Sequence, residues 1–216
     1  MRIVCISDTH GYEPDLPLGD LLVHCGDWSG HGGKSESIRF VQWMNRVKAN
    51  YKYGVVVVPG NHERYVDNFL PDALELFDVP NVKLLVNETV IIDGIKIFGT
   101  PYTPTFFNWA FMGNESFLNS KFQAMQTGTD LVISHGPPYK ILDWVERDEN
   151  VGSYALAEAI DRVKPRVVVF GHIHAQYGVL EQHGVKYYNV AQVDEDYKIA
   201  NLPVVIEIVR LDNSPT

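Results

Sequence analysis

Cysteine is nearly missing from this chain. Only Cys5 and Cys25 occur in 216 residues, each inside an apolar, strand-like run, which excludes a disulfide-stapled scaffold and predicts two buried free thiols. Positive charge is scarce too. Eighteen Lys and Arg stand against 27 Asp and Glu, a formal net charge of -9, so no basic field exists to hold duplex nucleic acid, whose binding rests on many Lys/Arg to phosphate contacts. A small phosphate ester is still allowed, because a bound divalent metal supplies positive charge locally. Long apolar runs are absent as well: none approaches the roughly 20 residues of a membrane span, and Asp8 interrupts the first apolar stretch before a signal-peptide core can form. A soluble, cytoplasmic protein without membrane partners is expected. There is no internal repeat, linker or low-complexity stretch, so residues 1–216 read as one mixed α/β domain.

What is present is an alternation of short apolar runs with helical patterns. Ile3 to Ser7, Leu21 to Cys25, Val55 to Val58 and Val82 to Val86 read as strands, the third a β-branched run of the kind buried on both faces. A helix begins near Ser35, with Phe40, Met44, Val47 and Tyr51 recurring at helical spacing. Thr89 to Ile92 and Ile95 to Gly99 flank Asp93-Gly94, a strong hairpin signal. A helix over about Phe117 to Met125 leads to the strand Leu131 to Ser134. Another starts at the cap Ser153, carries Leu156, Ile160 and Val163 on one face, stops at Pro165 and leads into Val167 to Phe170. Val185 to Val190 and Val204 to Val209 complete the strands. Asn87-Glu88-Thr89 and Asn114-Glu115-Ser116 match a glycosylation pattern that has no meaning without secretion.

The polar residues fall where these strands end. Asp8-Thr9-His10, Gly26-Asp27, Gly60-Asn61-His62-Glu63, Ser134-His135-Gly136 and Gly171-His172-Ile173-His174 each follow a strand, the edge at which open α/β sheets bind ligands. Each motif alone is commonplace: an Asp-x-His after a strand is most often a turn with a capping carboxylate. Five together point to chemistry. Residues i and i+2 of an extended segment share a side, about 6.5 Å apart, which suits two metals lying about 3.5 to 4 Å from one another. Asp8-x-His10 would chelate one ion, His172-x-His174 would reach both, and Asp27 would bridge. Donors of Asp, Asn and His type without thiolate suit manganese, iron, zinc or nickel, with manganese favoured. His24 reads as a core or supporting residue; His31 and His183 read as loop histidines without a role.

This order of motifs, from Asp8 to His174, resembles the calcineurin-like metallophosphoesterases. The stretches GTPYTPTFFNWAF, SHGPP and GHIHAQYG resemble, within them, the metallophosphoesterase-domain-containing branch described from vertebrate brain, near the class III cyclic-nucleotide phosphodiesterases. The resemblance implies two facing mixed β-sheets flanked by helices, with one metal on Asp8, His10, Asp27 and His174 and a second on Asp27, Asn61, His135 and His172. Some members of that branch have glycine in place of the first His of Gly-His-x-His; this chain keeps His172. The implied chemistry is in-line attack of a metal-bridging hydroxide on a small phosphodiester, a nucleotide or cyclic nucleotide. His62 would assist the leaving group, with Glu63 orienting it. The aromatic segment Tyr102 to Trp109, together with Tyr139, is the candidate base-stacking surface. A phosphomonoesterase and a metal-stabilised binding module with vestigial activity are the alternatives.

Overall fold

The computed structural model describes residues 1–146 and 149–209; the remainder of the range 1–216 lies outside the described residues. Two mixed sheets face each other. The first runs Val204–Glu207, Arg2–Ile6, Leu21–His24, Val55–Val57, Val82–Leu84, parallel throughout except for the antiparallel first strand. The second runs Gly178–Gln182, Val185–Asn189, Val167–Phe170, Leu131–Ser134, Ile95–Thr100, Glu88–Ile92, with antiparallel strands at its two edges.

The period of two along each strand divides the core into layers. Ile3, Cys5, Val23 and Val56 point inward and meet Ile97, Leu131, Ile133 and Val169 of the other sheet. Val4, Ile6 and Val57, on the opposite face, pack under Phe40, Val41, Trp43 and Met44 of the helix Lys34–Val47. Val132, Val168 and Phe170 pack under the helices Glu115–Phe122 and Tyr154–Val163. Both cysteines are buried, free, and pushed up in pKa by burial. Full burial of a residue such as Val169 contributes about 1.5–3 kcal/mol, which explains why central strands of only three to six residues suffice.

Local chemistry sets the ends of the elements. Ser153 accepts the N–H of Leu156, and Lys164 turns left-handed ahead of Pro165, a cap and stop worth about 1 kcal/mol at the first end. The first helix stops at Val47, and Tyr51 packs beyond it. Asn87 and Asn114 are occupied by the fold: Asn87 donates to the carbonyl of Lys121, and Asn114 caps the helix Glu115–Phe122. At one end the sheets are joined, where the N–H of Ser7 donates to the Val190 carbonyl and that of Gln192 to Ser7. This joined end carries all five polar motifs.

Candidate metal centre and cleft

The polar loops do not leave their strands in extended form. Asp8, His10, Asp27 and His172 have φ of 53°, 43°, 55° and 71°, a region that L-residues enter only when their surroundings impose it. The expected i, i+2 extended geometry is therefore corrected: the chain turns sharply at each motif, and His174 opens a short helical turn, His174–Gln176. Glycines make room for the turns. A Cβ on Gly26 would lie 2.7 Å from Gly60 N and from His135 Nδ1, and one on Gly171 would collide with the Asp8 carboxylate.

These turns bring the expected residues together. Asp8, His10 and His174 form one group of potential ligands, Asp27, His135 and His172 another, and His10, Asp27 and His62 a third that links them; within each, the ligand atoms lie within 4.8 Å of one another. Asn61 joins the second group through Oδ1, 2.8 Å from His135 Nε2. His135 Nε2 is also 3.4 Å from Asp27 Oδ2, and His174 Nε2 is 3.3 Å from Asp8 Oδ1.

The histidines are oriented by backbone carbonyls. Nδ1 of His10, His62, His135 and His174 lies 3.0, 2.8, 2.9 and 3.0 Å from the carbonyl oxygens of Ser29, Gly30, Cys25 and Asp194. Because a carbonyl only accepts, each Nδ1 carries a proton, which leaves Nε2 as the nitrogen turned inward, the one through which such imidazoles would bind a metal. His10 Nε2 is buried without a hydrogen-bond partner. An orphaned lone pair beside two buried carboxylates is what a cation would satisfy, so the residues fit divalent metal. Burial opposes ionisation of Asp8 and Asp27, yet His174 beside the first and His135, His62 and His10 beside the second hold both well below the usual carboxylate range. Burial also lowers His172, to about 3, whereas Asp27 outweighs burial at His135 and raises it to about 9.

Glu63 sits elsewhere than expected. Its carboxylate accepts the N–H of Asp27, Ser29 and Gly60 at 2.8, 3.1 and 2.6 Å and the hydroxyl of Ser29 at 2.8 Å. Burial and the charge of Asp27 push it up, to about 8, against the pull of those bonds. It staples the Asp27 loop to the Gly60 loop, and the atom facing the His62 ring nitrogen is the Gly30 carbonyl. His24 supports from the core: Gly26 N–H donates to its Nδ1, so its Nε2–H donates to Thr9 Oγ1. His31 and His183 lie in loops outside the cluster.

A cleft of about 700 Å³ opens over the cluster. Asp27, Asn61, His62, His172 and His174 are in its floor, and Phe106, Phe107, Trp109 and Tyr197 in its walls. Two expected wall residues belong elsewhere. Tyr102 packs edge-on against Phe111 and Phe117, and Tyr139 stacks on Tyr154 at 3.7 Å, because each follows its strand into the second sheet's outer layer. Tyr197, missed in sequence, arrives from a turn far along the chain and places its ring 4.8 Å from His10.

A sandwich with this ligand-bearing end defines a metal-dependent hydrolase of phosphate esters. The chain belongs to the calcineurin-like phosphoesterase family, whose model matches residues 1–176. It is 34% identical over 239 residues to human and mouse "Metallophosphoesterase domain-containing protein 1", covering 99% of this chain and 72% of each relative. In fold it is similar to phosphopantetheinyl hydrolase (PptH) of Mycobacterium tuberculosis, with a TM-score of 0.62, 15% identity and 90% of each chain covered. Among the described residues no helix is long and apolar enough to cross a membrane.

Proposed function

We propose that the chain, acting as one domain, hydrolyses small phosphodiesters, nucleotides and cyclic nucleotides among them. One ion would be held by Asp8, His10, Asp27 and His174 and the other by Asp27, Asn61, His135 and His172, with manganese the favoured metal and Asp27 shared. When bound, such ions neutralise phosphoryl oxygens and make water acidic enough to act as a nucleophile near neutral pH.

The observation that carries the reading is the wall of the cleft. Phe106 lies 5.3 Å from His172, Trp109 4.5 Å from His62 and Tyr197 4.8 Å from His10; Trp109 is engaged by His62 and by the Arg64 guanidinium at 4.8 Å, so exposed Phe106 and Tyr197 are the rings open to a base at the border of the cluster. A planar base stacked there would hang its phosphate over the floor, and stacking of this kind is worth about 1–3 kcal/mol per base. Charge supports a diester. Glu146, Glu149 and Glu195 line the same cleft, and among the described lining residues none is Lys or Arg, so a monoanionic diester meets less repulsion than a dianionic monoester.

His62 supplies the leaving-group proton from Nε2, while Nδ1 keeps its own on the Gly30 carbonyl. Its ring is clamped between Trp109 and the Gly30 carbonyl, its Nε2 is 3.9 Å from Asp27 Oδ2, and the backbone N–H of His62 donates to Asp27 Oδ1 at 2.8 Å. The side chain thus stands at the edge of the ligand cluster with one free nitrogen toward the cleft. The test is turnover of bis(p-nitrophenyl) phosphate, a cyclic nucleotide and p-nitrophenyl phosphate by stripped protein given each metal in turn. Diester turnover is expected; hydrolysis of the monoester alone under every metal overturns the reading.

A further inference from the structure

The residue that positions His62 is not adjacent to it in sequence or in space. The Gly30–His31 peptide lies between His62 and the helix Lys34–Val47, with its two polar ends engaged in opposite directions. Its carbonyl oxygen accepts from His62 Nδ1 at 2.8 Å, and its N–H donates to Glu36 Oε1 at 3.2 Å. The same Oε1 takes the Gly30 N–H at 2.9 Å, while Oε2 takes that of Gly33 at 2.9 Å. Only the Gly33 contact is needed for a capping box at the start of this helix. The other two fall outside the helix, on the peptide groups beside His62.

We propose that Glu36 is a positioning residue for His62, acting through the Gly30–His31 peptide. A carboxylate at the amide end of a peptide strengthens the carbonyl at its other end as an acceptor, because the two share one dipole. That carbonyl then holds one proton on Nδ1 and leaves Nε2 as the nitrogen that carries the second proton toward the cleft and delivers it. The third member of a donor–imidazole–orienter chain is thereby a carboxylate one peptide removed. The platform is rigid. Glu36 stands on a helix anchored by buried Phe40, Val41, Trp43 and Met44, and the loop is docked on the His62 segment by Tyr65 N–H donating to Gly32 O at 2.9 Å. Gly32 itself has φ +76°, and a Cβ there would run into the His62 carbonyl.

The inference rests on His62 as the leaving-group donor, so its test separates the two ideas. Two methyl aryl phosphodiesters that differ only in leaving group, phenyl and p-nitrophenyl, are hydrolysed by the metal-restored native chain, Glu36→Gln, His62→Ala and the double variant. Phenolate needs its proton; nitrophenolate does not. Glu36→Gln is expected to lower kcat on the phenyl ester about 10-fold, the scale of losing an outer partner of a working imidazole. On the nitrophenyl ester it should change kcat less than about 3-fold, and in the His62→Ala background it should add nothing. Equal losses on both esters, or additive losses in the double variant, mean that Glu36 is only a cap and overturn the proposal. If His62→Ala is selective and Glu36→Gln is not, the donor reading stands and the relay alone falls. If His62→Ala slows both esters alike, the donor reading falls and takes the relay with it. Nitrogen NMR of the native protein gives a readout independent of any variant's folding: the neutral His62 ring must carry its proton on Nδ1, and a neutral ring protonated on Nε2 alone overturns the proposal.

Discussion

Replacing Glu63 separates a residue that holds the site together from one that performs chemistry. Its carboxylate is 1% exposed and satisfies three backbone N–H groups and one hydroxyl. Glu63→Gln retains one oxygen. Placed at the Oε2 position it still accepts from Asp27 and Gly60, but its amide nitrogen then faces the N–H of Ser29, whose hydroxyl can rotate while the N–H cannot. One buried donor is orphaned, a loss of about 1–3 kcal/mol. Glu63→Ala orphans all three N–H groups, for which the same figure sets a ceiling of about 9 kcal/mol. Water entering the vacated space answers part of that, so about 3–5 kcal/mol is expected. Urea unfolding of the metal-stripped proteins at unchanged m-value measures both losses. Because Glu63 does not touch the His62 ring, either variant that folds should slow the phenyl and p-nitrophenyl esters by the same factor. An alanine variant less than about 1 kcal/mol below native, or a selective loss on the phenyl ester, refutes the staple.

Three further outcomes follow from the site. Gly171→Ala drives a methyl into the Asp8 carboxylate and Ser7 and should lower metal affinity by 10-fold or more, roughly as loss of an outer-shell partner does; binding isotherms as tight as native contradict the close packing. Chelation should lower the melting temperature, and manganese restored at 100 times its Kd should recover about 2.7 kcal/mol of stability for each ion bound, about 5.4 kcal/mol for two; a melting curve indifferent to metal contradicts the orphaned His10 nitrogen as a ligand. Phe106→Ala should raise KM for a cyclic nucleotide about 10-fold, within the range of a single stacking contact, and leave methyl p-nitrophenyl phosphate, a diester without a base, nearly untouched; parallel changes in both argue that Phe106 shapes the cleft without stacking a base.

Most of the fold was legible because its signals are local and redundant. Val55 to Val58 and Val167 to Phe170 are β-branched runs that suit a strand covered on both sides, and Asp93-Gly94 sits at the turn of the predicted hairpin, where Ile92 pairs with Ile95. Boundaries shifted by a few residues where a side-chain cap or a distant pairing decided them. The helix Glu115–Phe122 begins two residues before Phe117 because Asn114 caps it, and Val204–Glu207 ends where its pairing with Arg2 ends. The helices Arg64–Asn68 and Leu70–Leu76 escaped notice, since with Phe69 between them neither is long enough to display a 3.6-residue period.

The site was legible in its residue types and not in its geometry, and the reason is the backbone. A strand-end motif read as extended places Asp8 and His10 on one side, a distance apart set by pleat alone. The actual turns, left-handed at Asp8, His10, Asp27 and His172, depend on bonds from other loops: Asp8 N–H to the Gly26 carbonyl, His10 N–H to Asp27, Gly171 N–H to His135. No window of sequence contains both ends of any such bond. The same holds for the outer partners. Glu63 precedes a helix and so looks like an orienting or capping acid, while Glu36 looks like an ordinary third residue of a helix 26 positions earlier than His62. Only the loop geometry exchanges their roles, giving the near carboxylate to the Asp27 and Gly60 loops and the far one to the peptide behind His62. Conformations that strained persist only where several loops hold them at once. The strain is therefore concentrated at the residues that must converge, and the sheets behind them, buried on both faces, are what keep it from relaxing.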